Sequence, residues 1–116
     1  MSKKSSLAKI HFILEMINNI EKIIIRHDGI KNTLDDYEGY MATTMGISQI
    51  GETIGKLEIK IIEKYNLETK GASATRNFIV HNYEGVSLEI IKEIVENFLP
   101  ELKEKILIII SDLEQK

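Results

Sequence analysis

Residues 5–27 read SSLAKIHFILEMINNIEKIIIRH, and this stretch decides the fold class. Its apolar positions Ile10, Ile13, Leu14, Ile17, Ile20 and Ile24 recur at intervals of three and four. That is the period of a helix with one buried face, whereas a half-buried strand alternates every second residue. The spacing predicts a first helix over roughly 5–27, with Ser5 or Ser6 at its N-cap and Asp28-Gly29 as its stop.

The same rhythm continues outward from this stretch. Thr33-Leu34-Asp35-Asp36 resembles a capping box, with Asp in the usual Glu position. It predicts a second helix through Tyr37, Met41, Met45, Ile50, Ile54 and Leu57, continuing toward Tyr65. Gly39, Gly46, Gly51 and Gly55 fall inside it, and each costs about 1 kcal/mol relative to Ala. They read either as tolerated weak spots or a break in the helix, or as points where a neighbouring helix comes close. Asn66 to Ser73 reads as a loop turning at Gly71, followed by a short helix over roughly 73–82. Ser87 then caps a last helix, with Val86 and Ile91 placed as a hydrophobic staple. Pro100 predicts a kink or restart before that helix ends near Leu113. No strand signal, internal repeat or linker competes. The expectation is one all-α domain over 1–116, an up-and-down bundle of four to five helices.

Composition fits this reading. The chain has 116 residues, 43% of them hydrophobic and 28% charged, ordinary values for a globular domain. Gly and Pro together number only 8, too few for a loop-rich or disordered chain. The absence of Cys excludes a disulfide framework, a thiolate zinc site and a cysteine nucleophile. The formal net charge of −3 argues against a protein that coats nucleic acid through a broad basic surface, though it allows a small basic cleft. Charges interrupt the apolar residues near the N-terminus, so no signal peptide is expected. The longest apolar run, Ile106 to Ile110, is far short of the roughly 20 residues needed to span a bilayer. A cytoplasmic protein is expected.

Two runs, Ile23 to Ile25 and Ile106 to Ile110, are apolar around much or all of a helix, because successive side chains step by about 100°. Either a central helix is buried on all sides, or the surplus forms a subunit interface, most simply that of a two-fold dimer.

The chemistry concentrates in Arg76-Asn77-Phe78-Ile79-Val80-His81-Asn82-Tyr83, an R-x4-H-x-Y element. Arg76 and Tyr83 are nearly two turns apart and share a helix face, whereas His81 lies about 140° from Arg76. The three converge if the helix ends near His81, as Asn82 and Gly85 allow, or if a second copy supplies one of them. An Arg fork suits a phosphoryl oxygen, an imidazole moves protons near neutrality, and a Tyr hydroxyl can position a phosphate or be modified. Metal-free RNA cleavage needs such functions: a base for the 2′-OH, a cation for the phosphorane and an acid for the leaving oxygen. The plainer reading is a structural hydrogen-bond cluster at a helix end. His27, at the end of the first helix, reads as a helix-dipole partner, and His11 as an ordinary helix residue. The histidines have no metal-ligand spacing, and no phosphate-binding glycine loop is present.

At this element the chain resembles the HepT-like branch of the HEPN superfamily. The resemblance extends to Val86, to Ser48-Gln49-Ile50-Gly51-Glu52 and to Phe98-Leu99-Pro100-Glu101-Leu102, covering nearly the whole chain. It implies a helical homodimer whose two motifs face one cleft. It also implies the toxin half of a type II/VII-like toxin–antitoxin module, acting as a metal-independent endoribonuclease without a cofactor. By position, Arg76 and His81 would be catalytic, and Asn77 would be the supporting polar residue. Tyr83 would be the residue AMPylated by a cognate minimal nucleotidyltransferase antitoxin. Many relatives carry a Pro and a Trp shortly before the Arg. Lys70 to Thr75 has neither, which leaves substrate choice open. Two other readings stand beside the toxin: a non-catalytic nucleotide-binding subunit of a nucleotidyltransferase, and a helical scaffold with no active site.

Overall fold

The computed structural model describes residues 3–67 and 88–115. Among them every regular element is helical: α1 (Lys3–Arg26), α2 (Ile30–Asp35), α3 (Tyr37–Gly55), α4 (Ile59–Lys64), α5 (Leu88–Glu93), a π-helical turn (Ile94–Phe98) and α6 (Leu99–Glu114). The predicted helix over 73–82 and the Ser87 cap lie outside the described residues.

α1 is the hub, packing on α3 along one side and on α6 along another. Its Ile10, Ile13, Ile17 and Ile20 are almost wholly buried, each contributing about 1.5–3 kcal/mol of apolar burial. They meet Ile47, Ile50 and Ile54 of α3, Ile91, and Leu99, Leu102, Ile106 and Ile109 of the last helix in one core. His11 pairs with Glu114, and Glu21 with Lys103. Moving ten residues up α1 therefore moves eleven back down α6, so the two run antiparallel.

The α1 stop falls where the sequence places it. Asp28 takes a left-handed φ of 62° and donates its N–H to Ile25 O, while Gly29 donates to Ile24 O. These two bonds make a Schellman ending, in which Asp tolerates a conformation that bulkier residues avoid. Asn66 ends α4 in the same way, with φ 52° and a Leu67 N–H to Ile62 O bond.

Three expectations are corrected. α1 starts at Lys3, so neither Ser5 nor Ser6 caps it, and Ser6 is buried within the helix. Thr33 does not cap the second long helix. It lies inside α2, with its hydroxyl donating to Gly29 O, and the cap is Asp36, whose Oδ2 accepts from Gly39 N at 2.8 Å. The helix expected to reach Tyr65 breaks after Gly55, and α4 restarts at Ile59.

The glycines resolve differently along α3. A Cβ on Gly46 would sit 2.9 Å from Ile20 Cδ1, and one on Gly39 would run into the Thr33 carbonyl. At these two positions close approach is the reason for glycine, whereas Gly55 is an exposed helix terminus.

Pro100 acts as foreseen, one turn ahead of its own position. It has no N–H to offer the carbonyl four residues back. The chain takes up the defect as a π turn, in which Leu99 N–H reaches back five residues to Ile94 O. Among the described residues no helix is long and apolar enough to cross a membrane.

Candidate functional site

The residues singled out for chemistry, Arg76, Asn77, His81 and Tyr83, all lie outside the described residues. The described part supplies the two helices that frame them in sequence. On α3, Ser48, Ile50 and Gly51 are buried, while Glu52 is exposed and pairs with Lys56 at 3.3 Å. At the π turn and α6, Leu99 and Leu102 are buried, and Pro100 and Glu101 face outward. Most of the flanking motif residues are thus core or junction residues that set the scaffold.

Where the chain leaves the described residues at Leu67, a pocket of about 360 Å³ opens between Asn66, Phe98 and Lys105. Lys105 Nζ donates to Asn66 O at 2.9 Å and lies 3.7 Å from Glu101. The lysine closes the end of α4 by satisfying a carbonyl that the helix leaves open.

The other polar constellation is His27 with Asp36. His27 Nδ1 is 2.8 Å from Ile23 O in the last turn of α1, and Nε2 is 3.3 Å from Asp36 Oδ2. A carbonyl oxygen only accepts, so Nδ1 carries the hydrogen. The Gly39 N–H, and after it His27, hold the Asp36 carboxyl below its ordinary range. His27 sits at the end of α1 as expected, but its Asp36 partner was not foreseen. The only available clue was the Asp36…Gly39 spacing of an N-cap. The pair forms one end of an open groove of about 810 Å³ between α1 and α3, which also includes Arg26, Tyr37, Glu38 and Met41.

At the opposite end of the bundle His11 Nε2 is 3.2 Å from Glu114 Oε2, an exposed pair. Tyr65 donates its hydroxyl to Asp112 at 2.7 Å. Burial, then the Asp112 bond, pushes the Tyr65 phenol up to about 12. Among the described residues no group of three or more His, Asp or Glu is placed to hold a metal ion.

Residues 13–109 match the family described as "Ribonuclease HepT-like". Two proteins of Methanocaldococcus jannaschii are similar over nearly their full lengths. "Putative RNase MJ0127" is 33% identical over 98% of this chain and 94% of its own. "Putative RNase MJ0125" is 30% identical over 97% and 95%. "Gamma-glutamylcyclotransferase and putative RNase MJ0434" of the same organism is 37% identical over 60% of this chain and 32% of its own. No solved structure matches significantly.

Proposed function

Since the chain belongs to the HepT-like ribonuclease family, we propose that it is a metal-independent endoribonuclease centred on Arg76 and His81. The observation that carries this reading is the extent of the family match, which begins at residue 13, ends at 109 and so brackets the whole R-x4-H-x-Y element. In this reading His81 exchanges protons with the ribose 2′-OH or the leaving 5′-oxygen. Arg76 clamps the phosphate and stabilises the charge that builds on the phosphorane. Asn77 supports the arginine. The homodimer enters this reading from the family resemblance, which implies two copies whose motifs face one cleft.

The same reading makes the chain a cytoplasmic toxin silenced by a nucleotidyltransferase antitoxin. Transfer of AMP from ATP to the Tyr83 hydroxyl would release pyrophosphate and leave a bulky anion beside the cleft. Added negative charge and bulk both oppose an incoming RNA phosphate.

The test is cleavage of cellular RNA in excess EDTA, using protein whose intact mass shows no adduct. Wild type is expected to cleave and His81→Ala to lose about 10²–10⁴-fold in rate. Silence of the unmodified wild type would overturn the reading in favour of a nucleotide-binding subunit.

A further inference from the structure

The stretch Phe98-Leu99-Pro100-Glu101-Leu102 is only partly accounted for by the scaffold. Leu99 and Leu102 are buried in the core, and Pro100 sets the π turn ahead of α6. Phe98 and Glu101 remain, and both line the pocket of about 360 Å³ at the end of α4. That volume is at the lower end of the roughly 300–1,000 Å³ usual for small-molecule sites. Glu101, Leu102 and Lys105 follow Phe98 by three, four and seven positions, so one stripe of the π turn and α6 forms one wall. Asn66 and Leu67 form the other.

The lining selects a ligand. Leu67 and Leu102 are buried and give an apolar floor, and half-buried Phe98 adds an aromatic wall. This suits a flat ring, and unpaired RNA bases are commonly held by stacking on such side chains. A phosphate is poorly served. Among the described residues of the lining the single cation is Lys105, which already donates to Asn66 O at 2.9 Å and lies 3.7 Å from Glu101. The Asn66 side-chain amide makes no hydrogen bond among the described residues, which leaves its donors and its acceptor for a base edge. Glu101, with its side chain 70% exposed, offers carboxylate oxygens that only accept. Their match is an edge with two adjacent N–H donors. Among the four RNA bases only guanine presents one, at N1 and N2.

We infer that this pocket is a base-recognition subsite for an unpaired guanine, with Phe98 against the ring, Glu101 accepting from N1 and N2, and the Asn66 amide donating to O6. The inference deepens the ribonuclease reading above and rests on it for RNA as the source of the base. Leu67, in the floor, precedes Arg76 by nine residues, so in sequence the subsite adjoins the segment that carries the proposed catalytic groups.

Amide NMR titration of the full chain tests it, with guanosine and adenosine 5′-monophosphates (GMP and AMP) as probes. GMP is expected to shift the amides of Asn66, Leu67, Glu101 and Leu102 saturably, at about tenfold lower concentration than AMP. Inorganic phosphate should leave them in place. Glu101→Gln exchanges one acceptor for a donor and should erase the preference for GMP. Asn66→Gly keeps the left-handed backbone at φ 52° while removing the amide, and should weaken GMP binding. On RNA, Glu101→Gln should spread cleavage away from sites beside guanine. The inference is overturned if GMP shifts no pocket amide saturably, if phosphate reproduces the shifts, or if Glu101→Gln keeps the preference. An active ribonuclease that does not bind GMP here overturns this subsite alone. GMP binding by a chain that cleaves no RNA overturns the ribonuclease reading and makes a free guanine nucleotide the ligand.

Discussion

His27 Nε2 lies 3.3 Å from Asp36 Oδ2, and the same carboxylate oxygen accepts the Gly39 N–H at 2.8 Å. One aspartate thus caps the start of α3 and ties it to the end of α1. The two helices are joined through only nine residues of chain separation, with α2 folded into the corner. Because Asp36 serves both helices, its loss should be felt on both sides of that corner.

Replacing Asp36 with Ala should lower the thermal midpoint more than replacing it with Asn, which can still accept the Gly39 N–H. The pH dependence follows from the lowered carboxyl. A group depressed in the folded state contributes stability that is present above its unfolded value, close to the ordinary 3.8, and is lost as pH falls through the lower folded value. Urea melts from pH 7 down to pH 2 should show an acid loss that is smaller in Asp36→Asn. Equal acid slopes would contradict the capping role.

Tyr65 gives the opposite arm. Its phenol is raised to about 12 from an ordinary 10.0, so the folded state retains a proton that the unfolded chain releases. Its contribution is fully present below pH 10 and declines as pH rises toward 12. Tyr65→Phe should flatten this part of the stability profile. Ultraviolet titration of the phenolate should show one tyrosine ionising late in wild type and none in its place in the variant.

Gly46→Ala gains about 1 kcal/mol of helix propensity but drives a methyl into Ile20, where overpacking typically costs about 1–3 kcal/mol. A net loss is expected. Ile20→Val removes the clashing Cδ1, so the pair Gly46→Ala with Ile20→Val should be more stable than the sum of the two single changes predicts. Gly39→Ala should cost more than Gly46→Ala, because backbone at Thr33 cannot move aside as a side-chain tip can. Chemical denaturation of the four variants checks the order.

On the proposed function, Tyr83→Phe should retain most RNA cleavage and escape neutralisation by a nucleotidyltransferase partner. Growth after expression with and without that partner is the readout. A Phe variant that is still silenced would remove Tyr83 as the modified residue. Arg76→Lys should also fall well below wild type, since an ammonium cannot reproduce the planar two-point grip of a guanidinium on phosphate.

Much of the scaffold was legible in the sequence because burial follows period. Ile10, Ile13, Ile17 and Ile20 announce the inner face of α1, and Asp28-Gly29 announces its end, since few residues adopt left-handed backbone cheaply. Pro100 announces a defect because its missing donor is a covalent fact. Tyr37, Met41 and Met45 keep helical spacing and do lie on α3, but they face water. Periodicity reports that residues share a face, not which of two apolar faces the rest of the chain covers. The capping residue also moved, from Thr33 to Asp36, because α2 consumed the Thr33 hydroxyl in a bond to Gly29 O. The R-x4-H-x-Y element was legible as chemistry from residue types and spacing alone, and the family match adds the class of reaction.

The sequence by itself determined the all-α class, the stop of α1, the buried stripe of α1 and the residues suited to phosphate chemistry, since these follow from local backbone preference and from the identity of side chains. Only the tertiary structure decided that His27 meets Asp36, that Ile20 fills the space beside Gly46, and that the apolar stripe of α3 faces outward. Those are relations between different helices, and they are set by how α1, α3 and α6 share one core rather than by the period of any helix.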